Sequence, residues 1–214
     1  QRQMCIRDRP KEVLEKIPLL KREDIRKKVR PLHNEEKQIC GVKTIHHDIH
    51  TNGIIYLDML FDVNSLSEYV PQISFLATLL GYMDTTEHTF REFDTETNFY
   101  SGGIGSDLNI YSLYNSEDVE LKFDVKTKTL AGRIKDTVRL MAEMMFKTVF
   151  TDEKHLREVV AETRSRLKVR LMSAGHQAAV SYSMAGITVD GWYNDYSMGI
   201  GSVSYTHLRA HETP

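Results

Sequence analysis

Apolar and polar positions along the chain change period several times, and each change predicts an element. From Pro10 to about Ile25, Val13, Leu14 and Ile17 form the apolar stripe of a short helical arm interrupted at Pro18. Arg30-Pro31 breaks that pattern. Residues 42–48 and 54–63 read as strands joined by Thr51-Asn52-Gly53, a hairpin signal. In the second, Ile55, Leu57, Met59, Phe61 and Val63 alternate with Tyr56, Asp58 and Asp62, so one face is core and the other wetter. Ser65-Leu66-Ser67-Glu68 resembles a helix start before the apolar run 69–83. A more polar helix is expected over about 89–100, stopped by Gly102-Gly103. Residues 105–113 and 119–126 read as an antiparallel pair. Long helical patterns follow at 130–150 and 152–172, with Thr151-Asp152-Glu153 supplying the cap and first-turn acids between them. A shorter helix is expected over 177–185. The order ββααββααα predicts an α+β fold, with helices packed on one face of an antiparallel sheet.

Composition narrows the function classes. The 214 residues include 28 Lys+Arg and 30 Asp+Glu, a formal net charge of −2, which argues against a dedicated nucleic-acid binder. Cys5 and Cys40 cannot make a disulfide framework, and neither sits in a CxxC pair. No apolar run approaches the ~18 residues of a membrane-spanning helix, and the opening residues contain no signal-peptide apolar stretch. The charge is uneven. Arg9–Lys43 holds 11 basic and 6 acidic residues, whereas Thr51–Val125 holds 13 acidic residues against Arg91 and Lys122. The acidic stretch reads first as a solvated exterior, and alternatively as a wall that steers cationic peptides.

Both ends look foreign to their neighbours. QRQMCIRDR (1–9) and the closing residues 202–214 resemble translated adapter read-through and are set aside from fold reasoning. The natural protein is then expected to continue in both directions. His207 and His211, at helical spacing, are discounted as metal ligands for the same reason.

Several strings, in order, resemble the insulinase/pitrilysin family of inverted-zincin metallopeptidases, in its presequence-protease-like branch. They are IPLLKREDI (17–25), TNGIIYLDMLFDV (51–63), LLGYMDT (79–85), YSGGIG (100–105) and FTDEKHLREVVAETRSRL (150–167). The resemblance implies an internal fragment of a larger enzyme with four homologous α+β domains of the LuxS/insulinase type, closing as a clamshell around a chamber. Residues 10–30 would be the end of a helical linker and 31–201 the third, non-catalytic domain.

That family binds zinc through H-x-x-E-H on one helix and a glutamate on a later helix. Two imidazoles one turn apart can share one Zn²⁺, and the intervening glutamate serves as base for the zinc-bound water. The family pattern A-H-L-L-E-H-M aligns with Ala77-Thr78-Leu79-Leu80-Gly81-Tyr82-Met83. The histidine positions then carry Thr78 and Tyr82, the base position Gly81, and the distant glutamate position Glu162. One carboxylate without imidazoles does not hold catalytic zinc, so the resemblance implies a degenerate copy with no catalytic, cofactor-binding or metal residues. Zinc would belong to the parent's first domain. The arginine and tyrosine that assist catalysis in relatives lie in a fourth domain and are assigned to nothing here.

Other constellations read as structural. His46, Asp48 and His50 would project from one face of a strand, a spacing open to a metal, but a polar strand face running into a turn is the simpler reading. Gly102-Gly103-Ile104-Gly105 lacks the Lys-Ser/Thr of a phosphate loop and reads as helix stop and strand entry. Arg164, Arg166, Lys168 and Arg170 read as a solvated face. Met141, Met144, Met145 and Phe146 read as core, and Trp192-Tyr193 as a cap on the domain.

The expected function is a chamber wall in a peptide-degrading zinc metalloendopeptidase, with peptides, cationic ones included, and the parent's other domains as partners. The alternative is an inactive scaffold or peptide-binding subunit of the same fold; a free-standing hydrolase using His46 and His50 is a remote third. The resemblance implies a bacterial, cytoplasmic parent.

Overall fold

The computed structural model describes residues 21–25 and 33–199, in two compact units that meet in sequence at His50 and Thr51. The terminal stretches, His207, His211 and most of the expected helical arm lie outside the described residues; of the arm, Arg22–Asp24 forms a 3-10 turn.

The first unit is a hairpin of β1 (Asn34–Ile39) and β2 (Val42–His47), in register from Asn34↔His47 to Ile39↔Val42. Cys40 (φ 52°) and Gly41 (φ 80°) close it. This corrects the expected pairing. β2 pairs backwards with β1, whose polar sequence NEEKQI hid it, and not forwards across Thr51-Asn52-Gly53. Two consecutive positive φ values suit a tight hairpin turn, and Cys40-Gly41 supplies them nearer to β2. Asn52 (φ 54°) and Gly53 (φ 82°) also turn the chain, but into a strand that pairs elsewhere.

The second unit is built on β3 (Ile54–Asp62), β4 (Ile104–Ser112) and β5 (Val119–Leu130), in the order β3-β5-β4 and antiparallel throughout. β5 is central. Its partners set the two faces: Met59, Val125 and Ser106 lie on one, Leu60, Asp124 and Asp107 on the other. The alternation expected in β3 therefore holds, with Leu57 and Met59 packed inward and Tyr56, Asp58 and Asp62 exposed.

Helices cover the inner face. α1 (Val70–Leu79) follows a 3-10 segment at Asn64–Tyr69 and carries Pro71 in its first turn, where the missing N–H costs nothing. α2 (Phe90–Tyr100) begins at Thr89, whose hydroxyl and Glu92 cap each other's backbone. α3 (Ile134–Phe146) starts later than expected because Thr127 and Thr129 carry β5 on to Leu130. α4 (Glu153–Ser173) is capped by Asp152, which accepts from His155 N. α5 (Gly175–Ala185) and α6 (Val189–Met198) complete the unit. α6 was not expected as a helix. Thr188 caps it, and Gly191 lets its first turn approach Met184 O, which an added Cβ would meet at 2.5 Å. Trp192 stacks on Tyr196 one turn later, at 4.9 Å between rings.

Two clusters form the sheet-facing core. Val63, Val70, Ile73, Leu108 and Leu121 fill one end. Phe93, Val125, Leu140, Met141 and Met144 fill the other. The methionines are thus core, but Phe146, expected with them, is 76% exposed. Between strand and helix runs a threonine ladder: Thr137 Oγ1 lies 2.9 Å from Thr129 Oγ1 and both reach Tyr100 O, while Thr127 Oγ1 donates to Gly103 O.

On the outer face, lysines of β5 answer acids of its neighbours. Lys122 pairs with Asp62 (2.9 Å) and Glu120 (3.0 Å), Lys126 with Asp107 (2.6 Å). Much of the acidic stretch is thereby neutralised locally. Asp124 is the exception: it is buried, its Oδ2 accepts from Asn109, and its Oδ1 has no hydrogen-bond partner. Burial, then repulsion from Asp58, raises its pKa above the ordinary carboxylate value.

Leu140→Ala, at a fully enclosed position of this core, should cost about 2–5 kcal/mol in urea unfolding. Asp124→Asn should raise Tm at pH 7. A carboxyl whose folded pKa is raised gives full stability below the unfolded value of 3.8 and loses it as pH climbs through the folded one. The advantage of the amide should therefore vanish on acidification; an equal advantage at about pH 3 and pH 7 would exclude the charge as its cause.

Candidate functional site

The segment that resembles a zinc-binding helix begins as one. Thr78 lies on α1, its hydroxyl donating to Ser74 O at 3.2 Å. The helix then stops at Leu79. Leu80 is extended (φ −60°, ψ 129°) and Gly81 takes φ 87°. A left-handed residue reverses the chain, and glycine does so without the Cβ penalty. Tyr82 thus lies beyond the helix, not one turn above Thr78 on the same face. The expected apolar helix over 69–83 is cut short here.

Tyr82 packs against α4. Its ring stacks on Phe90 at 5.8 Å, and its carbonyl accepts from His155 Nε2 at 2.8 Å. Arg166 donates to the Tyr82 hydroxyl at 3.2 Å and to Glu162 Oε1 at 2.5 Å, with its guanidinium carbon 5.7 Å from the Tyr82 ring. Hydrogen bonding to Tyr82, then to Glu162, raises the Arg166 pKa further above its ordinary value. The structure therefore does bring Tyr82 and Glu162, far apart in sequence, to one guanidinium. The cation between them is a side chain.

Against this geometry, a family sequence model described as peptidase M16 subfamily C associated matches residues 6–207. The chain belongs to this peptidase-associated family. Among relatives, it is 29% identical over 192 residues to Protein HypA of Clostridium perfringens, covering 89% of this chain and 20% of that protein. It is 30% identical over 199 residues to Presequence protease 1, chloroplastic/mitochondrial, of Arabidopsis thaliana (92% and 18%), and 24% identical over 187 residues to the mitochondrial presequence protease of Drosophila melanogaster (86% and 17%). The chain thus spans about a fifth of the length of these relatives.

The zinc of such peptidases does not fit this position of the chain. The donors are a threonine hydroxyl, a phenol beyond a helix end and a carboxylate already paired with arginine. None is an imidazole, and Gly81 offers no base. No catalytic step runs through it.

The histidine-rich string is not assembled either. β2 ends at His47, so Asp48 and His50 follow outside the strand. His46 lies 3.8 Å from Glu35, and His47 Nδ1 is 2.7 Å from Asn34 Oδ1. Gly102-Gly103 does end α2 and open β4, with Gly103 at φ 105°.

Among the described residues, the one group of three metal-capable side chains is Glu87, His88 and Glu143. Sequence reading missed it. His88 and Glu143 stand 55 residues apart, on a loop and a helix, and no local spacing connects them. The hydrogen bond to Glu143 raises the His88 pKa above 6.5, against the opposing cost of burial.

Grafting the family signature tests the backbone argument. The triple variant Thr78→His, Gly81→Glu, Tyr82→His should show no peptidase activity and bind no zinc beyond the parent chain, because residues 81 and 82 do not continue α1. A gain of chelator-sensitive hydrolysis would show that the helix can extend.

Proposed function

We propose that this chain forms a non-catalytic wall of the substrate chamber in a larger zinc metalloendopeptidase that degrades peptides, with the metal held by another domain of the parent. In this reading residues 31–201 are the non-catalytic domain and 10–30 the end of a linker. One observation carries it: in a member of a peptidase-associated family, the position of the metal site is closed by Arg166 between Tyr82 and Glu162, past a helix broken at Gly81. Support for peptides as substrate class comes from the relatives named as presequence proteases. A preference for cationic peptides is inferred from the acidic residues at 51–125, although Lys122, Lys126, Arg139 and Lys147 offset part of that charge. A wall that excludes water and confines a peptide accelerates chemistry performed elsewhere in the chamber.

Two measurements test this. The purified chain, incubated with cationic and neutral peptides, should leave them intact with or without a chelator; hydrolysis that a chelator abolishes would overturn the reading. Reading the gene upstream should reveal H-x-x-E-H in another domain. A complete gene without it would leave the inactive scaffold as the function. Any binding of cationic peptides should weaken as the Debye length falls from about 10 Å at 0.1 M salt to about 3 Å at 1 M.

A further inference from the structure

The loop between α1 and α2 is clamped to the end of α3. Thr86 N donates to Lys147 O at 2.9 Å and Val149 N to Asp84 O at 2.8 Å, while Glu87 N (3.1 Å) and His88 N (2.9 Å) both donate to Thr85 Oγ1. This holds Glu87 and His88 over Glu143 of α3. One ligand atom from each of the three lies within 4.8 Å of the other two.

Glu143 is 1% exposed. Its Oε1 accepts from Thr85 Oγ1 at 2.6 Å and lies 2.7 Å from His88 Nδ1; its Oε2 has no hydrogen-bond partner. The opposite ring nitrogen, His88 Nε2, lies 3.5 Å from Glu96 Oε1. Arg139 bonds Glu96 at 2.9 Å and stands 3.7 Å from Glu143 Oε2, and Lys147 pairs with Glu87. Three carboxylates therefore face two permanent cations, and a neutral His88 leaves the group one positive charge short. Lys147 and Arg139 are about half exposed, so either can swing into solvent.

We propose that Glu87, His88 and Glu143 form a structural site for a divalent cation of the zinc class. An imidazole with two carboxylates is a donor set that zinc accepts. Each ligand also has the support a metal site needs. Thr85 fixes the Glu143 carboxylate. Glu96 stands ready to accept from His88 Nε2–H, which presents Nδ1 to the metal, the carboxylate–histidine–metal arrangement that orients ligating rings. Glu87 releases Lys147 when the ion enters. The ion then ties the α1–α2 loop to α3, and it is separate from the closed position at Thr78, Tyr82 and Glu162.

The test uses the whole 214-residue chain, stripped of metal and titrated with zinc sulfate at about pH 7.5, where an imidazole is largely neutral. Calorimetry should show one equivalent bound, with a zinc-dependent rise in Tm. Glu87→Gln and His88→Gln should each weaken binding about tenfold or more. Glu87 is exposed, so Glu87→Gln should keep the zinc-free Tm, which separates ligand loss from misfolding. The double variant His46→Gln, His50→Gln should bind as the unaltered chain does. The proposal is overturned if zinc leaves Tm unchanged, if either ligand variant binds at full strength, or if the hairpin double variant loses the zinc.

Discussion

Strand β5 is hydrogen-bonded on both sides, and its inner side chains are the reference surface for the larger unit. Leu121 and Val125 are sealed there, with Phe123 bridging the two clusters that α1, α3 and α6 cover. Because side chains alternate across a strand, fixing this one face fixes the other. Lys122, Asp124 and Lys126 must then point outward, against Asp62 and Asp107. The charged outer surface and the apolar core are thus one decision, made by the register of a single central strand.

The same packing explains why the metal-like position is closed. α1 is held to the sheet by Ser106, whose hydroxyl donates to Ala77 O at 2.9 Å. From there the chain has to reach the loop that lines α3, and the left-handed Gly81 provides the reversal. A helix that continued through residue 82 would carry the chain away from that loop. The loss of imidazoles and the loss of helical backbone are therefore linked. Arg166 gives Glu162 a compensating charge, so the carboxylate is retained without a metal, and both side chains stay more than half exposed.

The fold was largely legible because its signals are local. Alternation in β3, the Thr89 and Asp152 caps and the glycine stop after α2 each operate within a few residues, and each formed where expected. What the sequence concealed is long-range or compensated. β1 carries almost no apolar pattern, since its ribbon is exposed on both faces. α6 begins with the β-branched Thr188 and Val189 and includes a glycine, so its propensity argues against a helix that packing nonetheless selects. The break at Gly81 lay inside an apolar run that looked continuous. The candidate site was legible only in its negative part. Its closing cation, Arg166, and the Glu87–His88–Glu143 group depend on contacts between residues distant in sequence, which no spacing reveals.

The threonine ladder has a kinetic meaning. Thr127, Thr129 and Thr137 tie the end of β5 and the first turn of α3 to the backbone of Tyr100 and Gly103. Hydroxyls in a dry seam cannot exchange their partners for water one at a time without stranding another. The strand, the helix and the α2–β4 corner must then open in one step, and the backbone amides at their centre would share a single, late solvent-exchange event.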